Sequence, residues 1–185
     1  MDPNPSPRHP GHNMRKSKGF SLIELLIVVA IILIIAAIAI PNLLRAKIAA
    51  NESSAVQSVR TINTTQVTYQ STYPNVGYAA TLPALGPNGP TCTTPTSANA
   101  CLIDWSLSQA TSPASAKSGY YFGIGVVATN GVNLGYTVGA APAGFNQTGV
   151  RGFCSNEDAV IRATPALSGP PPNTEAACAA FAALQ

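Results

Sequence analysis

From Leu25 to Ile40 the chain carries no polar side chain, and the flanking Phe20–Ile23 and Leu43–Leu44 extend the apolar stretch to the roughly 20 residues that a bilayer-spanning helix needs. One acid, Glu24, sits inside its leading edge. A carboxylate in lipid costs about 2.5–3.5 kcal/mol and therefore asks for a function. Beyond the apolar stretch the pattern becomes one-sided: Leu44, Ile48, Ala55, Val59, Ile62, Tyr69 and Tyr73 recur mostly three or four apart, with Arg45, Lys47, Asn51, Glu52, Ser53, Arg60 and Asn63 elsewhere. That stripe predicts a helix laid against a sheet. A single helix is expected from Phe20 to about Tyr73. Pro41, which lacks a backbone donor and crowds the carbonyl of residue 37, should kink or loosen it, and Pro74-Asn75 should end it.

Between Asn75 and Gly119 the density of Pro and Gly excludes long elements, although Leu102 to Gln109 could form a short helix or strand with Trp105 packed inward. From Tyr120 the pattern is that of strands. Tyr120–Ala128 and Asn133–Ala141 flank Thr129-Asn130-Gly131, a hairpin signal, and Val150–Cys154 and Ala159–Thr164 read as two more short strands. The tail is a Pro-rich spacer at Ser168-Gly-Pro-Pro-Pro-Asn, followed by an Ala-rich segment able to form a turn or two of helix from Thr174. The expected fold class is α+β: a long N-terminal transmembrane and amphipathic helix packed on a small antiparallel β-sheet.

The chain has 185 residues and a formal charge of +3, but the charge is unevenly placed. Arg15, Lys16 and Lys18 lie just before the apolar stretch and nothing comparable follows it, which orients the N-terminus toward the cytoplasm and the bulk of the chain outward. Residues 1–13 hold four prolines and no apolar run, so disorder is expected there, and Met14 is read as the start of translation. Taking Asp2, Arg8, Arg15, Lys16 and Lys18 away from the seven acidic and ten basic residues leaves six of each. A neutral exported body gives no footprint for nucleic acid, and suits a subunit that packs against copies of itself.

The stretch Lys18-Gly19-Phe20-Ser21-Leu22-Ile23-Glu24-Leu25, running on through aliphatic residues to Pro41, resembles the leader and N-terminal helix of type IV pilins and type II secretion pseudopilins. The resemblance implies a pilin fold. It also implies cleavage by a prepilin peptidase between Gly19 and Phe20, N-methylation of Phe20, and filament assembly in which Glu24, with Leu25 and Pro41, belongs to the assembling helix. On that reading residues 1–19 are a leader, 20–44 a transmembrane and assembly helix, 45–73 its amphipathic half, 74–119 an αβ-loop, 120–164 the sheet and 165–185 a C-terminal loop. Implied partners are further copies of the chain in a helical homopolymer, the peptidase, an inner-membrane assembly platform with its ATPase, and the membrane itself before assembly. The implied locations are the inner membrane for the precursor and an extracellular pilus for the assembled subunit. A minor pilin and a pseudopilin share the same signature. Cleavage by ordinary signal peptidase after Ala37-Ile38-Ala39 is opposed by the length of the apolar run and by Glu24. A reading of another class is an uncleaved, single-pass anchored binding module with residues 75–119 as its recognition surface.

All four cysteines follow the apolar stretch, in what would be an oxidising compartment. Of three possible pairings, chain order favours Cys92 with Cys101 and Cys154 with Cys178. A zinc site is the rival, without paired Cys-x-x-Cys spacing and without a histidine, since His9 and His12 both lie in the leader. The same absence removes Ser-His, Cys-His and His-metal constellations from a processed chain, so no enzymatic activity and no cofactor are expected. Glu157-Asp158 sits in an expected turn and is read as solvated rather than as an acid and base or a calcium site. Gly123-Ile-Gly125 is read as close packing in a strand. Asn51-Glu-Ser, Asn63-Thr-Thr and Asn146-Gln-Thr match the short glycosylation sequon, the first two within the expected helix.

Overall fold

The computed structural model describes residues 19–184. The expectations for residues 1–13, for Met14 and for the cluster Arg15, Lys16 and Lys18 lie outside the described residues. The chain divides into two compact units, Met1–Ile40 and Pro41–Gln185.

The first unit, over its described residues, holds the start of α1, an α-helix spanning Leu22–Thr72 that contributes to both units and contains Pro41 within it. The apolar side chains from Phe20 to Leu44 are exposed almost without exception among the described residues. This is the one helix among the described residues that is long and apolar enough to cross a membrane.

The second unit is built on the rest of α1 and an antiparallel sheet. The sheet has five strands in the order of the sequence: β1 (Tyr120–Thr129), β2 (Val132–Pro142), β3 (Gly152–Asn156), β4 (Arg162–Thr164) and β5 (Ala182–Ala183). The β1–β2 hairpin closes through Asn130 and Gly131, with φ of 53° and 84°. Positive φ at both central residues is what a two-residue turn matched to the strand twist requires, and Asn and Gly tolerate it at least cost. Against the sheet, α1 buries Ala55, Val59, Ile62 and Tyr69 in one core with Tyr120, Phe122, Tyr136, Val138 and Phe153. The first members of the expected stripe are not part of that core: Leu44 is exposed and Ile48 only half-buried.

Between helix and sheet, α2 (Leu82–Leu85) and α3 (Trp105–Ser108) send Leu82, Leu85 and Leu107 into the same core. Trp105 does not point inward as the sequence suggested, and is 38% exposed. The Asp104 side chain accepts from Leu107 N at 3.0 Å, capping a helix of four residues. That cap sets the rotation of the short helix, which turns Leu107 in and Trp105 out. Gln66 ties this region to α1: its amide donates to Ala79 O at 2.9 Å and accepts from Ala79 N at 2.8 Å, so a buried side chain pairs with backbone much as a strand would.

Of the expected strands, 150–154 is shifted along the chain, 159–164 is shortened, and a fifth strand was not foreseen. The amides of Val150 and Arg151 are taken by Glu52, which keeps them out of the ladder until Gly152. Ala159 has φ of 58°, a left-handed conformation no strand contains, so β4 begins only at Arg162. The fifth strand arises because α4 (Glu175–Ala179), capped by the Thr174 hydroxyl, turns the tail back onto β4.

On its way the tail crosses β1 and β2 where they lack side chains. Pro171 lies against Gly123, Pro172 against Gly139, and Asn173 O so close to Gly125 that no Cβ would fit. Replacing Gly125 by Ala is therefore expected to lift the tail and cost about 1–3 kcal/mol, the usual range for overpacking. Thermal unfolding together with limited proteolysis of residues 165–174 would show it; unchanged stability and protection would mean that the tail does not rest on the strand.

Candidate functional site

Gly19 and Phe20 precede α1 and are exposed. A Cβ added to Gly19 would meet nothing within 4 Å, and its backbone is not in the left-handed region, so no packing among the described residues demands glycine there. The first turn of α1 is closed by Glu24. Its Oε2 accepts from Ser21 N at 2.9 Å, while Glu24 N and Leu25 N donate to Ser21 O at 3.1 and 3.3 Å. This is half of a capping box, and it also places a carboxylate where the helix dipole favours one. Glu24 and Leu25 face outward with the rest of the apolar surface, and no basic group is paired with Glu24 among the described residues.

In the second unit the polar chemistry is structural. The structure bonds Cys92 to Cys101 and Cys154 to Cys178. The second bond is fully buried and fastens α4 to β3. Asn63 donates to Ser155 Oγ at 2.8 Å and accepts from the Tyr136 hydroxyl at 3.1 Å, and burial pushes the Tyr136 phenol well above its ordinary value. Among the described residues no group of three or more His, Cys, Asp and Glu side chains is placed to share a metal ion. Asp158 pairs with Arg162 at an exposed turn, which holds its carboxyl below the ordinary range.

Sequence reasoning placed Glu52 and Asn63 on the solvated side of the helix, and both are buried. Glu52 accepts from Val150 N and Arg151 N, each at 3.1 Å, and from Arg151 Nε at 2.7 Å. Burial alone would raise its pKa, but the hydrogen bonds from Arg151 and Val150 and the nearby guanidinium outweigh it and hold the group below its ordinary value of 4.5. A carboxyl whose folded pKa is lowered contributes stability above its unfolded pKa and loses that contribution as the pH falls through the folded one. Glu52→Gln is accordingly expected to unfold about 2 kcal/mol more easily at neutral pH, the scale of a charge-assisted hydrogen bond. Its stability should also fall less than wild type between neutral pH and pH below 4.5. Urea titrations at both pH values check this, and parallel acid limbs would remove Glu52 from the account.

The first unit opens its long exposed apolar helix on a capped glutamate and the second holds a disulfide-bonded antiparallel sheet, an α+β arrangement like that of a pilin. The family described as the prokaryotic N-terminal methylation motif matches residues 14–40. The chain is similar to the type IV wide pilus major component PilA4 of Thermus thermophilus, at 65% identity over 40 residues that make up 22% of this chain and 30% of the relative. It is also similar to the type IV major pilin protein PilA of Myxococcus xanthus, at 45% identity over 56 residues, 30% of this chain and 26% of the relative. No solved structure matches the chain significantly. The chain is thus similar to type IV pilins. The chain spans less than a third of the length of these two relatives.

Proposed function

We propose that the chain is a structural subunit of a type IV pilus filament, stored in the inner membrane with its N-terminus in the cytoplasm and polymerised through α1. The observation that carries this reading is the apolar surface from Phe20 to Leu44 at a methylation motif, left exposed among the described residues. Lipid covers such a surface before assembly, and the same surface on other copies covers it afterward. Gly19 supports cleavage at the Gly19–Phe20 bond, because the fold itself leaves room for a larger side chain there. A requirement for glycine would then come from the peptidase that reads it.

Cleavage frees the amine of Phe20. When a neighbouring helix docks in register, Glu24 accepts the positive charge of that amine in surroundings of low dielectric, where an unpaired carboxylate is costly. A misplaced helix leaves the acid alone. Pro41 belongs to the same helix and removes one backbone hydrogen bond within it.

The intact mass and first residue of the mature protein test the reading. A product that begins at Phe20 and carries one methyl group is expected. A product that begins at Ile40, or one that retains the leader, overturns it.

A further inference from the structure

The geometry points to Asn146 as a site of N-linked glycosylation, the one sequon of three at which the fold leaves room for a sugar. The inference rests on the chain being exported. Asn63 is buried and both ends of its amide are engaged, with Ser155 and Tyr136. Asn51 donates to Thr148 O at 2.8 Å and is crowded by Gly119, at which an added Cβ would lie 2.9 Å from the Asn51 Nδ2. A glycan on either amide would displace the contact between α1 and the sheet side of the core.

Asn146 differs in each respect. It stands at the tip of the turn between β2 and β3, with Phe145 and Gln147 exposed on either side of it. Among the described residues its side chain makes no hydrogen bond, and its φ of 61° is one that asparagine accepts at little cost. The turn beneath it is firm. Asn146 N donates to Gly149 O at 2.9 Å, and the Thr148 hydroxyl accepts from Gly144 N at 3.0 Å. Because the sequon hydroxyl is engaged inside the closed turn, transfer takes place during export, before the turn closes. The closed turn then holds the glycan away from the core.

The donor is a sugar carried on a polyprenyl diphosphate. Nδ2 of Asn146 bonds to the anomeric carbon, the bond from that carbon to the diphosphate oxygen breaks, the diphosphate leaves with the electron pair, and the amide proton passes to a base of the transferase. The test is the intact mass of protein from sheared filaments of native cells, for wild type, Asn146→Asp, Thr148→Val and Thr148→Ser. Wild type should exceed the methylated, disulfide-bonded polypeptide by whole sugar residues. The increment should vanish in Asn146→Asp and Thr148→Val and persist in Thr148→Ser, which keeps the sequon. Asn146→Asp keeps a residue that tolerates positive φ, so the result does not depend on Thr148→Val folding. A wild-type mass equal to the bare polypeptide, or an increment that survives Asn146→Asp, overturns the assignment. Removal of residues 1–19 is read from the same spectrum as a separate mass difference, so failure of processing and absence of a glycan are told apart.

Discussion

Replacing Glu24 by Leu is expected to leave the protein in the membrane fraction and take away its filaments. Leucine satisfies the bilayer better than glutamate does, so insertion is not impaired and steady-state precursor should be at or above the wild-type level. Assembly is another matter. Removing one partner of a buried charge pair costs about 3–5 kcal/mol, because the remaining charge, on the proposed pairing the Phe20 amine of the next copy, stays behind without compensation. That is a factor of at least about a hundred at each contact, and a polymer repeats the loss at every subunit. Quantifying the protein in sheared surface material against the protein in membranes measures it. Glu24→Gln separates charge from capping: its side-chain oxygen can still accept from Ser21 N, so a filament defect equal to that of Leu assigns the effect to the charge. Wild-type surface yield from Glu24→Leu would end the pairing scheme.

Removing Cys154 and Cys178 together by alanine substitution is expected to have the largest effect on the second unit. The bond closes a loop of 24 residues, and in the chain-entropy account a loop of that size contributes about 3 kcal/mol. For a unit of this size such a loss corresponds to a fall in Tm of about 10 °C. The effect should also be local before it is global. Without the bond, α4 and β5 are held by the Thr174 cap, the short pairing to β4 and the resting of Pro171 and Pro172 on the sheet. Protease should therefore reach residues 165–184 at temperatures where β1 and β2 are still intact. Removing Cys92 and Cys101 in the same way opens a separation of only 9 residues and should cost less. Equal losses from the two pairs, or none from the first, would contradict the role given to the buried bond.

What the sequence disclosed, and what it withheld, follows from the range over which each signal acts. The apolar run, Glu24 in its first turn and the Asn130-Gly131 hairpin are set by neighbours a few residues apart, and periodicity or backbone preference reveals them. Glu52 is different: its partner Arg151 lies 99 residues away, and nothing beside Glu52 distinguishes it from a solvated acid. Asn63, 92 residues from Ser155, was misread for the same reason. Trp105 shows the opposite failure. Its size argued for burial, but a local cap at Asp104 set the rotation of a four-residue helix and gave the inside position to Leu107. The limits of β3 and β4 were moved by a side chain from another element and by one left-handed alanine, neither of which strand propensity can register. The glycines of β1 announced a close approach, but only the fold shows that the approaching segment is the chain's own Pro-rich tail.

That tail is held in register twice over. Pro171, Pro172 and Asn173 each rest on a particular glycine, and five residues further on Cys178 is fixed to Cys154. The interval between these moorings acts as a gauge. A single inserted or deleted residue there would put the wrong atoms over every glycine at once, whereas the exposed stretch 93–95, between the Cys92–Cys101 bond and the Thr96–Asn99 turn, can lengthen or shorten. Drift in this protein should therefore change the length of its loops and only the lettering of its tail.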